Sequence, residues 1–201
     1  MNLFEKYIGP RITSFICGHK VFTRQRQKVV PLAKGRVLEI GFGTGLNLKF
    51  YDPAKVRHVW GLDPSIDMWK MAEAKSVPFD VEFIQASAES IPLDDGNADT
   101  ILVTYTLCSV ANIIAALKDM RRVLKPGGEL IFCEHGAAPD ENVRKWQDRL
   151  NPIWSRLAGG CNLNRSIPML LEQGGFKVRA LDKMYLPVWK PAAFNYWGTA
   201  V

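Results

Sequence analysis

Apolar residues recur along the chain in two rhythms, and their alternation predicts the architecture. The β-rich runs "RVLEI" (36–40), "VRHVWGL" (56–62), "VEFIQ" (81–85), "DTILVTY" (99–105) and "GELIFCE" (128–134) predict five strands. Between them, residues 44–51, 65–76 and 111–124 carry helical spacing, with Ile113, Leu117, Met120, Val123 and Leu124 on one face of the last. Strands alternating with helices predict a parallel sheet with right-handed crossovers. "KPGG" (125–128) predicts a helix stop and a turn into the fifth strand, because Pro126 cannot continue a helix and Gly127 or Gly128 can take positive φ. Downstream the rhythm changes to one long helix over 140–157, a loop at "AGGCNLNRS", a short helix over 166–173 and closing strands over 176–186 and 194–200.

Of 201 residues, 47% are hydrophobic, enough for one sizeable core, and no repeat, low-complexity tract or linker divides the chain. No apolar run approaches the roughly 18 residues that span a bilayer, and no signal-peptide pattern opens the chain, so a cytoplasmic protein is expected. The cysteines Cys17, Cys108, Cys133 and Cys161 form no Cys-x-x-Cys pair. Their spacing argues against a zinc site or disulfide framework and for reduced thiols, and no metal is expected.

The net charge of +6 is local. Lys6, Arg11, Lys20, Arg24, Arg26, Lys28 and Lys34 face a single acid, Glu5, within residues 1–35, and the rest of the chain is neutral. Leu3, Phe4, Tyr7, Ile8, Ile12, Phe15, Ile16 and His19 give the same arm a helical apolar pattern broken at Pro10. The chain thus divides into a basic amphipathic arm (1–35) and a main domain (36–201). Such an arm can make a peripheral contact with an anionic membrane or close over an active site as a lid; the plainer alternative is a helix packed on the domain with its basic face solvated. No nucleic-acid partner is expected, since the charge is one block without an accompanying binding signature.

Candidate chemistry starts at "EIGFGTG" (39–45), which follows the first strand immediately. Gly41, Gly43 and Gly45 let backbone approach a ligand closely at the carboxyl end of the sheet, where open α/β sheets bind nucleotides. A dinucleotide dehydrogenase would place its third glycine one position later. Asp63 ends the second strand, where a carboxylate can accept from both hydroxyls of a ribose; capping the Asp63–Pro64 turn is the alternative.

These residues resemble the class I S-adenosylmethionine-dependent methyltransferases. "VLEIGFGTGLNL" is similar to that family's first motif, "GLDPS" to its ribose acid, "ASAESIPLDDGNADTIL" to its adenine-side loop and fourth strand, and "VLKPGGELIF" to its entry into the fifth strand. The resemblance implies a Rossmann-like α/β fold: a seven-stranded, mostly parallel sheet with its last strand antiparallel and helices on both faces. It implies S-adenosyl-L-methionine as cofactor, with Glu39, Gly41, Gly43 and Gly45 at its methionine and ribose end and Asp63 on the ribose. Met68, Ser87 and Ala88 would meet the adenine, and Thr104 would close the site at the fourth strand. Many members carry Asp where Ser87 stands, so Ser87 offers the weaker bond.

The acceptor side must come from loops after strands four and five and from the C-terminal third. His135 is the candidate catalytic base, with strand capping as its alternative. Cys108, Trp154, Arg165 and Tyr196 are candidate substrate contacts; the plainer readings are small or aromatic core residues and, for Arg165, a structural ion pair. "TLCSV", "RRVLKPGGELIFCEHGAAP" and "NPIWSRLAGGCNLNR" resemble the alkyl-thiol methyltransferases and bacterial relatives labelled phospholipid N-methyltransferases. The implied acceptor is a small-molecule thiol, with a phospholipid or other amine as the alternative; a non-enzymatic S-adenosylmethionine-binding module is the third reading. The expected assembly is a monomer or a homodimer.

Overall fold

In the computed structural model, residues 17–72 and 76–201 are described. Seven strands form one sheet: β1 (Gly35–Ile40), β2 (Val56–Leu62), β3 (Asp80–Ile84), β4 (Ala98–Thr104), β5 (Leu124–His135), β6 (Val178–Tyr185) and β7 (Phe194–Ala200), in the order β3-β2-β1-β4-β5-β7-β6. All neighbours pair in parallel except β7, which runs antiparallel to both β5 and β6. The order reverses direction between β1 and β4, which opens a crevice at their carboxyl ends.

Helices cover both faces because the central strands bury side chains in both directions. On one face Leu38, Ile40, Ile101, Val103, Leu130 and Phe132 pack with α3 (Ile113–Val123) and α5 (Ile167–Gln173), together with Val143 of α4 (Glu141–Leu157). On the other, Val37, Val59, Leu102 and Ile131 pack with Val29 of α1 (Lys20–Val29) and Ala72 of α2 (Ile66–Ala72). Successive strand residues alternate between the two clusters, as the two-residue period of a strand requires. The expected seven-stranded architecture, antiparallel strand included, is the one observed.

Two expectations about local structure are corrected. Residues 44–51 form turns and a three-residue 3-10 helix (Leu48–Phe50) instead of an α-helix. Gly43 and Gly45 sit at φ 56° and 65°, which a right-handed helix cannot include, and Asn47 and Tyr51 turn inward to hydrogen-bond Glu39. The fifth strand begins at Leu124, so "KPGG" lies inside it. A register shift opposite Ala98 and Thr100, with Gly127 at φ 78°, absorbs the turn as a bulge.

The apolar pattern expected over Leu3–Ile16 lies outside the described residues. What is described of the arm is α1, which packs on the sheet: Val29 is buried, and Phe22 meets the Tyr105 ring edge-on at 5.1 Å. Among the described residues no helix is long and apolar enough to cross a membrane.

Candidate active site

The donor half is built at the carboxyl ends of β1 and β2. Gly41 has φ 69°, and a Cβ there would lie 2.1 Å from Thr106 Oγ1, so β4's loop packs directly on this glycine. The Gly43 N–H donates to Asp63 Oδ2 at 2.9 Å, while Asp63 Oδ1 accepts from the Ser65 N–H at 2.9 Å. Burial pushes the Asp63 carboxyl above its ordinary range, against the pull of these two N–H bonds. Asp63 therefore holds the glycine loop as well as facing the crevice. The Met68 methyl lies over the loop, 3.5 Å from where a Gly43 Cβ would sit.

Beneath the loop is a polar network that joins Glu39 and Thr104, both expected at the site, to Asn47 and Tyr51, which were not. Glu39 is 1% exposed and accepts from Asn47 Nδ2 at 2.9 Å and from the Tyr51 hydroxyl at 2.5 Å. Thr104 Oγ1 accepts from the same Asn47 amide at 3.0 Å. Asn47 Oδ1 is buried without a hydrogen-bond partner among the described residues. A buried acceptor that lacks a donor is costly, so a ligand bringing an N–H here is favoured. The available signal was two polar residues within a run read as an apolar helix.

On the adenine side, Asp63 N–H donates to Ile84 O at 3.1 Å and Gln85 Nε2 reaches Pro64 O at 3.4 Å, joining the two strand-end loops. The Ser87 hydroxyl donates to Glu89, whose other oxygen accepts from the Asn112 N–H at 3.1 Å. Ala88 is buried in the apolar cluster with Ile91.

The acceptor half lies beyond β4 and β5. Tyr105 turns the chain with φ 55°, a conformation sparsely used by non-glycine residues. Glu134, fully buried, then holds the next turn: its Oε1 accepts from the Thr106 N–H at 2.7 Å and the Leu107 N–H at 3.2 Å. Burial pushes this carboxyl up to about 7 despite those bonds. That loop delivers Cys108.

His135, 9% exposed, follows Glu134 and places Nε2 3.2 Å from Cys161 Sγ; its Nδ1 is buried without a partner among the described residues. Cys108 Sγ, Cys161 Sγ and a His135 ring nitrogen all lie within 4.8 Å of one another. The hydrogen bond that the Cys161 thiol donates to Cys108, reinforced by burial, pushes this thiol well above its ordinary range. Arg165 donates from Nη1 to Leu107 O, and burial pulls its guanidinium down while both thiols and Glu134 pull the other way. The structure thus gathers His135, Cys108 and Arg165 from the expected acceptor set and adds Cys161, which reads as core from sequence.

Tyr196 is 8% exposed and its hydroxyl donates to Ala137 O, so it buttresses the chain behind His135. Trp154 packs on Trp189 at 5.4 Å between ring centroids, and its Nε1 has no partner among the described residues, which leaves it outside the hydrogen-bonded network described around His135. Arg26, counted with the solvated basic arm in the sequence, is 5% exposed: its guanidinium lies 4.9 Å over the Tyr105 ring, and its charge reaches Glu134.

Comparison with known proteins agrees with this layout. A family described as "Methyltransferase domain" matches residues 38–132. The human thiol S-methyltransferase TMT1A is 34% identical over 190 residues, covering 90% of this chain and 77% of its own length. Human thiol S-methyltransferase TMT1B is 36% identical over 179 residues, covering 84% and 72%. Among solved structures, a SAM-dependent methyltransferase from Leishmania major superposes with a TM-score of 0.72 at 16% identity, covering 98% of this chain and 80% of that one. A SAM-dependent methyltransferase from Thermotoga maritima gives a TM-score of 0.67 at 22% identity, covering 98% and 97%. These structural likenesses speak for the fold.

Proposed function

The chain belongs to the S-adenosylmethionine-dependent methyltransferases, and from that premise we propose that it methylates the sulfur of a small-molecule thiol. The observation that carries the acceptor reading is that His135 Nε2 stands 3.2 Å from Cys161 Sγ while Arg165 bonds the Leu107 carbonyl next to Cys108, beside the loop that packs on Gly41. The names of the two human relatives, both thiol S-methyltransferases, support the same acceptor.

The residues present fit S-adenosylmethionine. The unpartnered Asn47 Oδ1 would accept from the ammonium of its methionine end, with the Gly41–Gly45 backbone alongside. Asp63 would take the ribose hydroxyls, and Met68, Ser87 and Ala88 would flank the adenine. The cofactor supplies a methyl group on a sulfonium, already activated for displacement.

The protein must therefore align a nucleophile, exclude water and remove one proton. Burial of Cys108 and His135 keeps the acceptor end dry. His135 Nε2 would take the proton of an acceptor thiol, and the Arg165 guanidinium would stabilise the thiolate that results. Glu134 positions both arms of the site, through its bonds to Thr106 and Leu107 and its covalent neighbour His135.

A release assay for S-adenosylhomocysteine over thiols, amines, phenols and phospholipids tests this reading. Turnover of thiols is expected; turnover confined to amines or phospholipids would overturn it.

A further inference from the structure

Cys108 lies in the turn after β4, His135 ends β5 and Cys161 lies in the loop after α4, so no local motif marks them, yet the fold brings their ligand atoms within 4.8 Å of one another. We propose that Cys108, His135 and Cys161 form a zinc site whose open fourth position takes the sulfur of the acceptor thiol. The role of the fourth position rests on the thiol reading above, whereas the existence of the site does not.

Two sulfurs and one imidazole are a ligand set suited to zinc, and three protein ligands with one open position characterise catalytic zinc. Zinc–sulfur and zinc–nitrogen bonds of about 2.3 and 2.0 Å place tetrahedral ligand atoms roughly 3.5–3.8 Å apart. His135 Nε2 and Cys161 Sγ already stand 3.2 Å apart, so that pair needs only a small spread to admit the ion, and all three ligand atoms lie within 4.8 Å of one another.

The frame around the ligands is fixed. The Cys108 carbonyl accepts from both the backbone N–H of Asn162 at 2.9 Å and its Nδ2 at 3.0 Å, tying the two cysteine loops together. Glu134 holds the residues leading to Cys108, and His135 pairs with Asn195 of β7. Cys108 and His135 are buried and Cys161 is half-buried, which leaves one side for an incoming ligand. Gly159, two residues before Cys161, has φ 59° and no neighbour that a Cβ would meet within 4 Å, so this loop has room to adjust.

Charge and protons balance. Zn²⁺ binding releases the Cys108 and Cys161 protons to solvent, and two thiolates neutralise the ion. An acceptor thiol entering the fourth position loses its own proton to solvent, giving a site of one net negative charge beside the Arg165 guanidinium. The bound sulfur is then the deprotonated nucleophile that methylation needs. With the ion in place, His135 serves as a ligand and the metal takes over the activation of the thiol.

The test uses the whole chain, purified with reductant and stripped by a chelator, then titrated with Zn²⁺ against a chromophoric chelator and separately with Co²⁺. One zinc per chain and a thiolate-to-cobalt charge-transfer band are expected. Cys161→Ser and Cys108→Ser should each weaken zinc at least 100-fold and lose the band, while Cys133→Ser retains both. Calorimetry with S-adenosylhomocysteine confirms that each variant is folded. Absence of stoichiometric uptake in the wild type, uptake unchanged in Cys161→Ser, or a Cys108–Cys161 disulfide with no zinc uptake would overturn the site. Zinc uptake without turnover of any thiol would sink the thiol reading and leave the site standing. Undiminished thiol turnover in stripped protein would remove the role proposed for the ion.

Discussion

Replacing Glu134 by Gln isolates the energetic consequence of burying a carboxyl behind the acceptor site. Glu134 has no exposed surface, and its Oε2 has no hydrogen-bond partner among the described residues. Burial raises it from an ordinary 4.5 to about 7, so between these values the native state keeps a proton that the unfolded chain has released. Stability therefore falls as pH rises from about 4.5 to about 7 and levels off above, a loss of about 3 kcal/mol for this group. Below pH 4.5 both states are protonated and the penalty vanishes.

In Glu134→Gln the new side chain would offer an amide oxygen to the same Thr106 and Leu107 N–H groups, but its NH2 would inherit the unpartnered position. That costs about 1–3 kcal/mol at every pH. The constant term and the sloping term separate in urea unfolding followed by tryptophan fluorescence at pH 4.5–8. Near pH 4.5 the wild type is expected to be the more stable; toward pH 8 the difference shifts by about 3 kcal/mol in favour of Glu134→Gln. In a domain of this size that shift corresponds to roughly 6–12 °C in Tm. A difference that stays flat across the range would refute the buried, proton-holding carboxyl.

Other residues make separable predictions. Asp63→Asn can satisfy Gly43 or Ser65 with its single acceptor oxygen but not both, and calorimetry should show S-adenosylhomocysteine bound about 10–100-fold more weakly, with unchanged affinity counting against the ribose role. Tyr51→Phe removes a donor from buried Glu39 and should cost about 1–3 kcal/mol in urea unfolding together with donor affinity; a neutral result would show that Glu39 is held adequately without the Tyr51 hydroxyl. Gly41→Ala drives a Cβ to 2.1 Å from Thr106 Oγ1, whereas Gly127→Ala meets nothing within 4 Å. Both incur the positive-φ penalty of about 1–2 kcal/mol, but only Gly41→Ala should also abolish S-adenosylhomocysteine binding.

The sheet and the donor loop were legible because their signals are local. Period-two runs marked the strands, and a glycine cluster followed by a strand-end acid marked the crevice. The helix expected at 44–51, which the chain does not form, shows where locality fails. Leu48 keeps its apolar spacing, but Asn47 and Tyr51 serve a partner on β1 rather than a helix face, and positive-φ glycines forbid the helix that spacing alone suggested. "KPGG" was legible as a break and misplaced as a boundary, since pairing with β4 extends the strand backward past the bulge.

The acceptor half was legible residue by residue but not as an assembly, and the reason lies in the topology. Cys108, Glu134, His135, Cys161 and Arg165 hang from the ends of two adjacent strands and from a loop that folds back over them, so their meeting depends on long-range register. Glu134 left one trace, an acid closing the apolar run "LIFCE", where burial is expected and charge is not. Arg26 left none, because within a basic arm it looks like its solvated neighbours. In the fold it lies over Tyr105, and its charge lowers the same Glu134 carboxyl that burial raises. The arm therefore reaches the acceptor site electrostatically, through one buried cation, whatever its other basic residues contact. Arg26→Met should accordingly push Glu134 further up and extend the falling limb of the pH–stability curve beyond pH 7; an unchanged limb would show that the arm and the site are energetically independent.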